Sequence, residues 1–250
     1  MCNAFSCIVD REKIVTWKFG TDSHEQLLKI AGLPDDTLDP EKIRFCRVEI
    51  SPKNKDYLNP DVWVFKIDMD ITPTWWSLDH KKACEVAHKD WMDQLYKILV
   101  RKAVVHPFKI TPPKKITKKH IDLVKEWDSV RASVWASVGD SVRDSVRDSV
   151  RDSVRDSVWA LVRDSVRASV RALVRDSVWA SVGDSVWAYS GSFFLLPRDA
   201  WKYTENIKTD EYPFLPLVKL WEMGLVPSFD GKMWRLHGGS DANILWEGVL

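Results

Sequence analysis

Neither sign of charge prevails in this chain, and that absence narrows its uses. Across 250 residues, 37 lysines and arginines almost balance 36 aspartates and glutamates. A general nucleic-acid binder carries a basic patch or tail, and a DNA mimic carries an acidic face, so neither role is expected. Long apolar runs are also missing. None approaches the ~20 residues a membrane helix needs, and no membrane partner is expected. The opening MCNAFSCIVDREK lacks a basic segment before its short apolar run and does not read as a secretory signal. Cysteine is scarce: Cys2, Cys7, Cys46 and Cys84, with no CxxC pair. That usage fits a reducing compartment, and a cytoplasmic location is expected. No phosphate loop and no GxGxxG is present, and no cofactor is expected.

Tryptophan, by contrast, is plentiful, with 14 residues spread along the chain. Composition divides the chain into four zones: 1–110, 111–126, 127–192 and 193–250. In the first, AFSCIV and IVTWKF flank a polar Asp10–Lys13 turn, which predicts a hairpin. Ser23, with Gln26 three residues on, caps a helix that Gly32 closes. IRFCRVEI and VWVFKIDM alternate as strands, and Ser77 or Asp79 caps a long helix carrying Ala83, Ala87, Trp91, Leu95, Ile98 and Leu99 on one stripe. The order is ββαββα, an α+β domain with a small antiparallel sheet. Residues 111–126 read as a Pro/Lys-rich linker and a helix capped by Thr117. In the tail, PLVKLWEMG predicts a helix closed by Gly224, and Asp230-Gly231 joins two strands.

The repeat zone runs in tetrads such as RDSV, GDSV and WASV, with Val in fourth place in fifteen successive units from Val130 to Val186. A period of four overshoots the helical turn by about 40° each time, so a long helix would scatter its valines around its surface. A flat strand would place Val on the same face as Asp. A coil that turns a corner every four residues, with Val on its axis, satisfies the pattern. Nine Arg and nine Asp between Trp127 and Gly191 would then form soluble outer ladders. The helix from Thr117 would cover one open end, and Tyr189, Phe193, Phe194, Leu195 and Leu196 the other. Leu161 and Leu173, twelve apart, would stack in a triangular coil, whereas Trp159 and Trp179, twenty apart, would not, leaving the cross-section open.

With Ala136, Ala160, Ala180 and the many Asp residues, the tract resembles the pentapeptide-repeat family, although its unit is four residues with Val for Leu or Phe. It is also similar to tracts in uncharacterised phage and uncultivated-microbe proteins. The resemblance implies a β-solenoid. The expected fold is therefore mainly β with α+β: a ββαββα domain, a tetrapeptide-repeat β-solenoid with a helical N-cap, and a small C-terminal capping module.

Chemistry is sparsely marked. Cys2, freed at its amine by loss of Met1, is the one catalytic candidate, as an N-terminal nucleophile. His80, Cys84 and His88 share a helix face but span too much axis to meet at one ion. Asp68 and Asp70 stand at a strand end, where carboxylates can hold metals or act as bases. Asp22, Ser23 and His24 are explained by capping. No metal is expected from these patterns. The function expected is a non-enzymatic scaffold or interaction protein that meets a protein partner, with a Cys2 enzyme or a phage structural or host-takeover protein as alternatives.

Overall fold

The computed structural model describes residues 5–35, 39, 41–53, 62–149, 159 and 179–250. It divides into two compact units, 1–99 and 100–250, so the repeat and the tail belong to one unit. The fold is α+β, with two antiparallel sheets of four and three strands.

In the first unit the elements follow the order β1 (Phe5–Asp10), β2 (Val15–Thr16), α1 (His24–Ala31), β3 (Phe45–Pro52), β4 (Trp63–Ile67) and α2 (Leu78–Leu95). The sheet order is β2-β1-β3-β4. The hairpin turn is tied by Asp10, whose carboxylate accepts from the Glu12 and Ile14 amides. The Ser23 hydroxyl caps α1 by accepting from the Gln26 amide, and Gly32 ends the helix in the left-handed region at φ 66°.

Strand alternation assigns the two faces. Register pairs Cys7 with Val48 and Val9 with Cys46, so these residues share one face with Phe5 and Ile50. On that face α2 packs Cys84, His88 and Trp91, the last two against the Phe5 and Trp63 rings. The opposite face presents Ser6, Ile8, Phe45, Arg47, Glu49 and Lys66, and α1 seals its apolar part with Leu27 and Leu28. The sheet thus lies between two helices, and polar residues remain on the α1 side.

The second unit holds α3 (Lys118–Ser133), α4 (Val138–Ser149), α5 (Trp179–Gly191), α6 (Leu215–Glu222) and a meander of β5 (Val226–Phe229), β6 (Trp234–Gly238) and β7 (Asn243–Gly248). Its core is aromatic: Trp127, Tyr189, Phe193, Phe214, Trp221 and Trp234 are all buried. Each such side chain contributes roughly 2–3 kcal/mol through burial. Tyr189 stacks on Trp221 at 5.0 Å, and the indole Nε1 of Trp221 donates to the Val105 carbonyl at 2.9 Å.

The β-solenoid is overturned, and with it the mainly β class. Wherever repeat residues belong to a described element, that element is an α-helix. The 40° drift is harmless over a short helix. In α4 the valines at 138, 142 and 146 spread over only about 80°, inside an ordinary apolar stripe. Ser141 and Ser145 fill the rest, so the buried set 138, 141, 142, 145 and 146 has true helical spacing. A break at 134–137 separates α3 from α4, so the drift cannot accumulate across them. Low intrinsic propensity is offset locally: the Ser137 hydroxyl accepts from the Asp140 amide, and Arg143 and Arg147 pair with Asp140 and Asp144 three residues back.

The buried serines Ser141, Ser145 and Ser190 of α4 and α5 are hydrogen-bonded. Ser145 donates to the Ser141 carbonyl at 2.6 Å, and Ser190 to that of Val186 at 2.7 Å. Ser141 also donates to the Lys202 carbonyl, while Ser145 accepts from the Lys202 amide, so two repeat serines clamp one tail residue. The expected end caps change role as well. Tyr189, Phe193 and Phe194 are core residues of the unit, and Leu195 is exposed. Leu161 and Leu173, on which the coil shape turned, lie outside the described residues.

Candidate metal centre

The polar patch on the α1 face of the first sheet brings three metal-type donors together. His24 comes from the first turn of α1, Glu49 from β3 and Asp68 from the residue just beyond β4. One ligand atom from each lies within 4.8 Å of the other two, the one such group among the described residues. Local folding explains each position. Ser23, by capping α1, turns His24 back onto the sheet, where it is nine-tenths buried. Glu49 pairs directly with Lys66 across β3 and β4, and the Asp68 amide donates to the Arg47 carbonyl, which anchors the strand end.

Hydrogen bonding decides what the imidazole presents. His24 Nε2 lies 3.3 Å from the Val48 carbonyl, which can only accept, so Nε2 carries the proton. Burial lowers the His24 pKa, and the nearby Arg47 charge adds to that, against the raising effects of the Val48 carbonyl, Glu49 and Asp68. The neutral ring then turns the Nδ1 lone pair toward Asp68 Oδ2 at 3.5 Å. Asp68 has its other oxygen on Lys66 Nζ at 2.8 Å; that hydrogen bond is the main cause of its lowered pKa. The Glu49 carboxylate lies beside Asp68, within 4.8 Å, so two acids and one imidazole share a small space.

Three acceptors therefore converge where a cation fits. Donors about 2.1 Å from a tetrahedral ion stand about 3.4 Å apart, close to the His24–Asp68 spacing. A protonated ring nitrogen facing a backbone carbonyl is the usual outer support of a metal-bound histidine. On the same face Ser6, register partner of Glu49, is 2% exposed and its hydroxyl has no partner. Beside Asp68 opens a cavity of about 330 Å³, lined by Arg47, Lys66, Asp68, Met69 and Asp70.

The other candidates are placed elsewhere. His80 Nδ1 accepts from the Ser77 amide at 3.2 Å and so helps cap α2, and its Nε2 faces the Arg11 carbonyl. Thr117 and His120 repeat that capping arrangement at the start of α3. Cys84 is buried against Cys7, whose thiol is pushed well up by burial, while Cys46 is pushed up to about 12. His88 is held down at about 4 by burial among Phe5, Trp63 and Trp91. Neither His80 nor His88 joins Cys84 at one point. Asp70 lines the cavity but is outside the three-donor group. Cys2 lies outside the described residues.

A Ser–His pair in the second unit was not anticipated. Ser228 Oγ lies 2.7 Å from His237 Nε2, and His237 Nδ1 lies 3.1 Å from the Ala242 carbonyl. Ser228 is fully buried and His237 is 7% exposed, so no substrate reaches that hydroxyl, and the pair ties β5 to β6. No helix among the described residues is long and apolar enough to cross a membrane. No family model, no curated protein and no solved structure matches the chain.

Proposed function

We propose that the first unit binds a divalent cation through His24 Nδ1, Glu49 and Asp68. The observation that carries this reading is the meeting of three acceptors, with the His24 tautomer set by the Val48 carbonyl. One nitrogen and two carboxylate oxygens suit Mn²⁺, Fe²⁺ or Zn²⁺ better than the all-oxygen preference of Ca²⁺. Three protein donors leave coordination positions open, which is the arrangement of a site that engages a ligand rather than a closed structural one.

Calorimetric titration of the full chain with Mn²⁺ and with Zn²⁺ tests it. One ion per chain is expected, with binding weakened at least tenfold in Glu49→Gln and in Asp68→Asn. Unfolding of the ion-free variants is measured alongside, so that weakened binding is read only from folded protein. Absence of binding to the folded wild type, or binding unchanged in both variants, rejects the reading.

A second reading concerns the second unit, as a non-enzymatic scaffold that meets a protein partner. It is favoured by Trp135, 75% exposed in the bend ahead of α4. Exposed tryptophans anchor protein contacts. Proximity labelling should recover a partner that Trp135→Ala loses, and an identical set of labelled proteins for both chains counts against this reading.

A further inference from the structure

One edge of the second unit sets unneutralised lysines beside bare aliphatic side chains. From Arg101 to Ile121 the chain carries seven lysines and arginines and no acidic residue. Four of them, Lys114, Lys115, Lys118 and Lys119, crowd the approach to α3 and its first turn, and all four are exposed. None of the four forms a salt bridge among the described residues. Setting Asp122, one turn further along α3, and Asp241, in the β6–β7 turn, against them still leaves the patch at +2.

The start of β7 lies against this segment. A β-carbon placed at Gly238 would lie 3.0 Å from Pro112 Cβ and 2.7 Å from Leu245 Cδ1, so the chain leading to Lys114 meets β7 over that glycine. β7 is an edge strand. Its Ile244 is 53% exposed and its Leu245 37%, and Val249 just beyond it is 77% exposed. The strand's one charged residue, Glu247, is tied to Arg235. Open sheet edges are commonly guarded by lysine or proline within the strand, and β7 has neither.

The two features together select a partner. Unpaired lysines attract an anion. The aliphatic side chains beside them gain nothing from a nucleic acid, which rewards base-edge hydrogen bonds or aromatic stacking. An added peptide strand wants a regular ladder, and β7 is irregular here: Leu236 pairs with Trp246 and His237 with Ile244, so Leu245 is the extra residue of a bulge. An anionic bilayer satisfies both features, with lysines among its headgroups and aliphatic side chains at the acyl boundary. Lysine suits that layer, being a compact charge on a flexible apolar stem.

We infer that this edge of the second unit docks on an anionic membrane surface, through Lys114, Lys115, Lys118 and Lys119 and through Ile244 and Leu245. Such docking lies on the bilayer and needs no spanning segment.

Co-sedimentation of the full chain with phosphatidylcholine vesicles, with and without about 30% phosphatidylserine, tests it. Binding is expected to the anionic vesicles alone, falling as salt rises from about 0.1 M to about 0.5 M. Each lysine is worth about fivefold at such a surface, so Lys114→Gln with Lys115→Gln should weaken binding about twentyfold. Ile244→Ser should weaken it about fivefold and leave its salt dependence in place. The same loss of two charges at Lys29 and Lys89, both exposed on the first unit, should change it less than about twofold. Circular dichroism of each variant shows that binding is read from folded protein. No binding to anionic vesicles, equal binding to neutral ones, or binding unchanged by loss of Lys114 and Lys115 overturns the inference. So does tighter binding to duplex DNA or to a polyglutamate peptide that needs the lysines but is indifferent to Ile244→Ser.

Discussion

Asp184 offers the sharpest test of how the repeat helices pack. It belongs to a GDSV unit in α5, is half-buried, and burial raises its pKa from the usual 3.8 to about 6. The Arg131 guanidinium works in the opposite direction but is outweighed. The sign follows directly. The unfolded chain ionises this carboxyl at lower pH than the folded one, so stability is greatest below pH 3.8 and declines as pH rises to about 6. The full displacement corresponds to about 3 kcal/mol at about 1.4 kcal/mol per pH unit. Asp184 keeps some solvent access, and screening reduces the expected figure to about 1–2 kcal/mol. Asp184→Asn should therefore stabilise the second unit by about 1–2 kcal/mol at pH 7 and by nearly nothing at pH 4. The assay is hydrogen exchange of the α5 amides, or urea unfolding, across this range for both chains. Taking the difference between them removes the opposite slope of Asp140 and Asp230, whose pKa values are lowered by hydrogen bonds. A variant less stable than wild type at pH 7, or a difference that does not change with pH, refutes the reasoning.

Two further predictions bear on the same helices. Gly139 and Gly183 occupy equivalent GDSV units, yet a β-carbon at Gly139 would lie 2.8 Å from the Trp187 indole while one at Gly183 meets nothing within 4 Å. Gly139→Ala should destabilise by about 1–3 kcal/mol through overpacking, and Gly183→Ala should stabilise by up to about 1 kcal/mol as a better helix former, both read from urea midpoints. Ser141→Ala and Ser145→Ala each remove a hydrogen bond to the Lys202 backbone, and each should cost about 1–3 kcal/mol and speed exchange of amides around residue 202. Equal effects at both glycines, or serine variants as stable as wild type, would count against the helical packing.

What could be read from the sequence was what local chemistry decides. Ser23 and Gly32 bracket α1, Thr117 starts α3, Gly224 follows α6 with φ 74°, and Asp230-Gly231 turns β5 into β6. Each depends on neighbours a few residues away. The repeat was misjudged because its period was tested against one unbroken rod of ~60 residues, whereas a break at 134–137 separates α3 from α4, and the described parts of α4 and α5 are 12 and 13 residues. At that length a four-residue beat and a helical stripe are indistinguishable, and the Ser beside each Val completes the buried face. The strand β7 was missed because NILWEG, beyond the expected hairpin, gives only a short alternation.

The candidate site was legible in one part of three. Asp68 drew notice as a carboxylate at a strand end. His24 was absorbed into helix capping, which is correct for its neighbour Ser23 but leaves out where the ring goes. Glu49 carried no signal, being one polar residue in an alternating strand. Its role comes from β3 pairing with both β1 and β4, and that register joins residues 24, 49 and 68 only in three dimensions. The unpartnered hydroxyl of Ser6 is likewise a property of the folded sheet.

The central claim is that His24, Glu49 and Asp68 close on one ion. Crystals of the full chain grown with Mn²⁺ test it directly through an anomalous difference map. The account predicts one peak, about 2.1–2.3 Å from His24 Nδ1 and from a carboxylate oxygen of each acid. A map with no peak there, and a His24 Nδ1 proton donated to Asp68 instead, would contradict it.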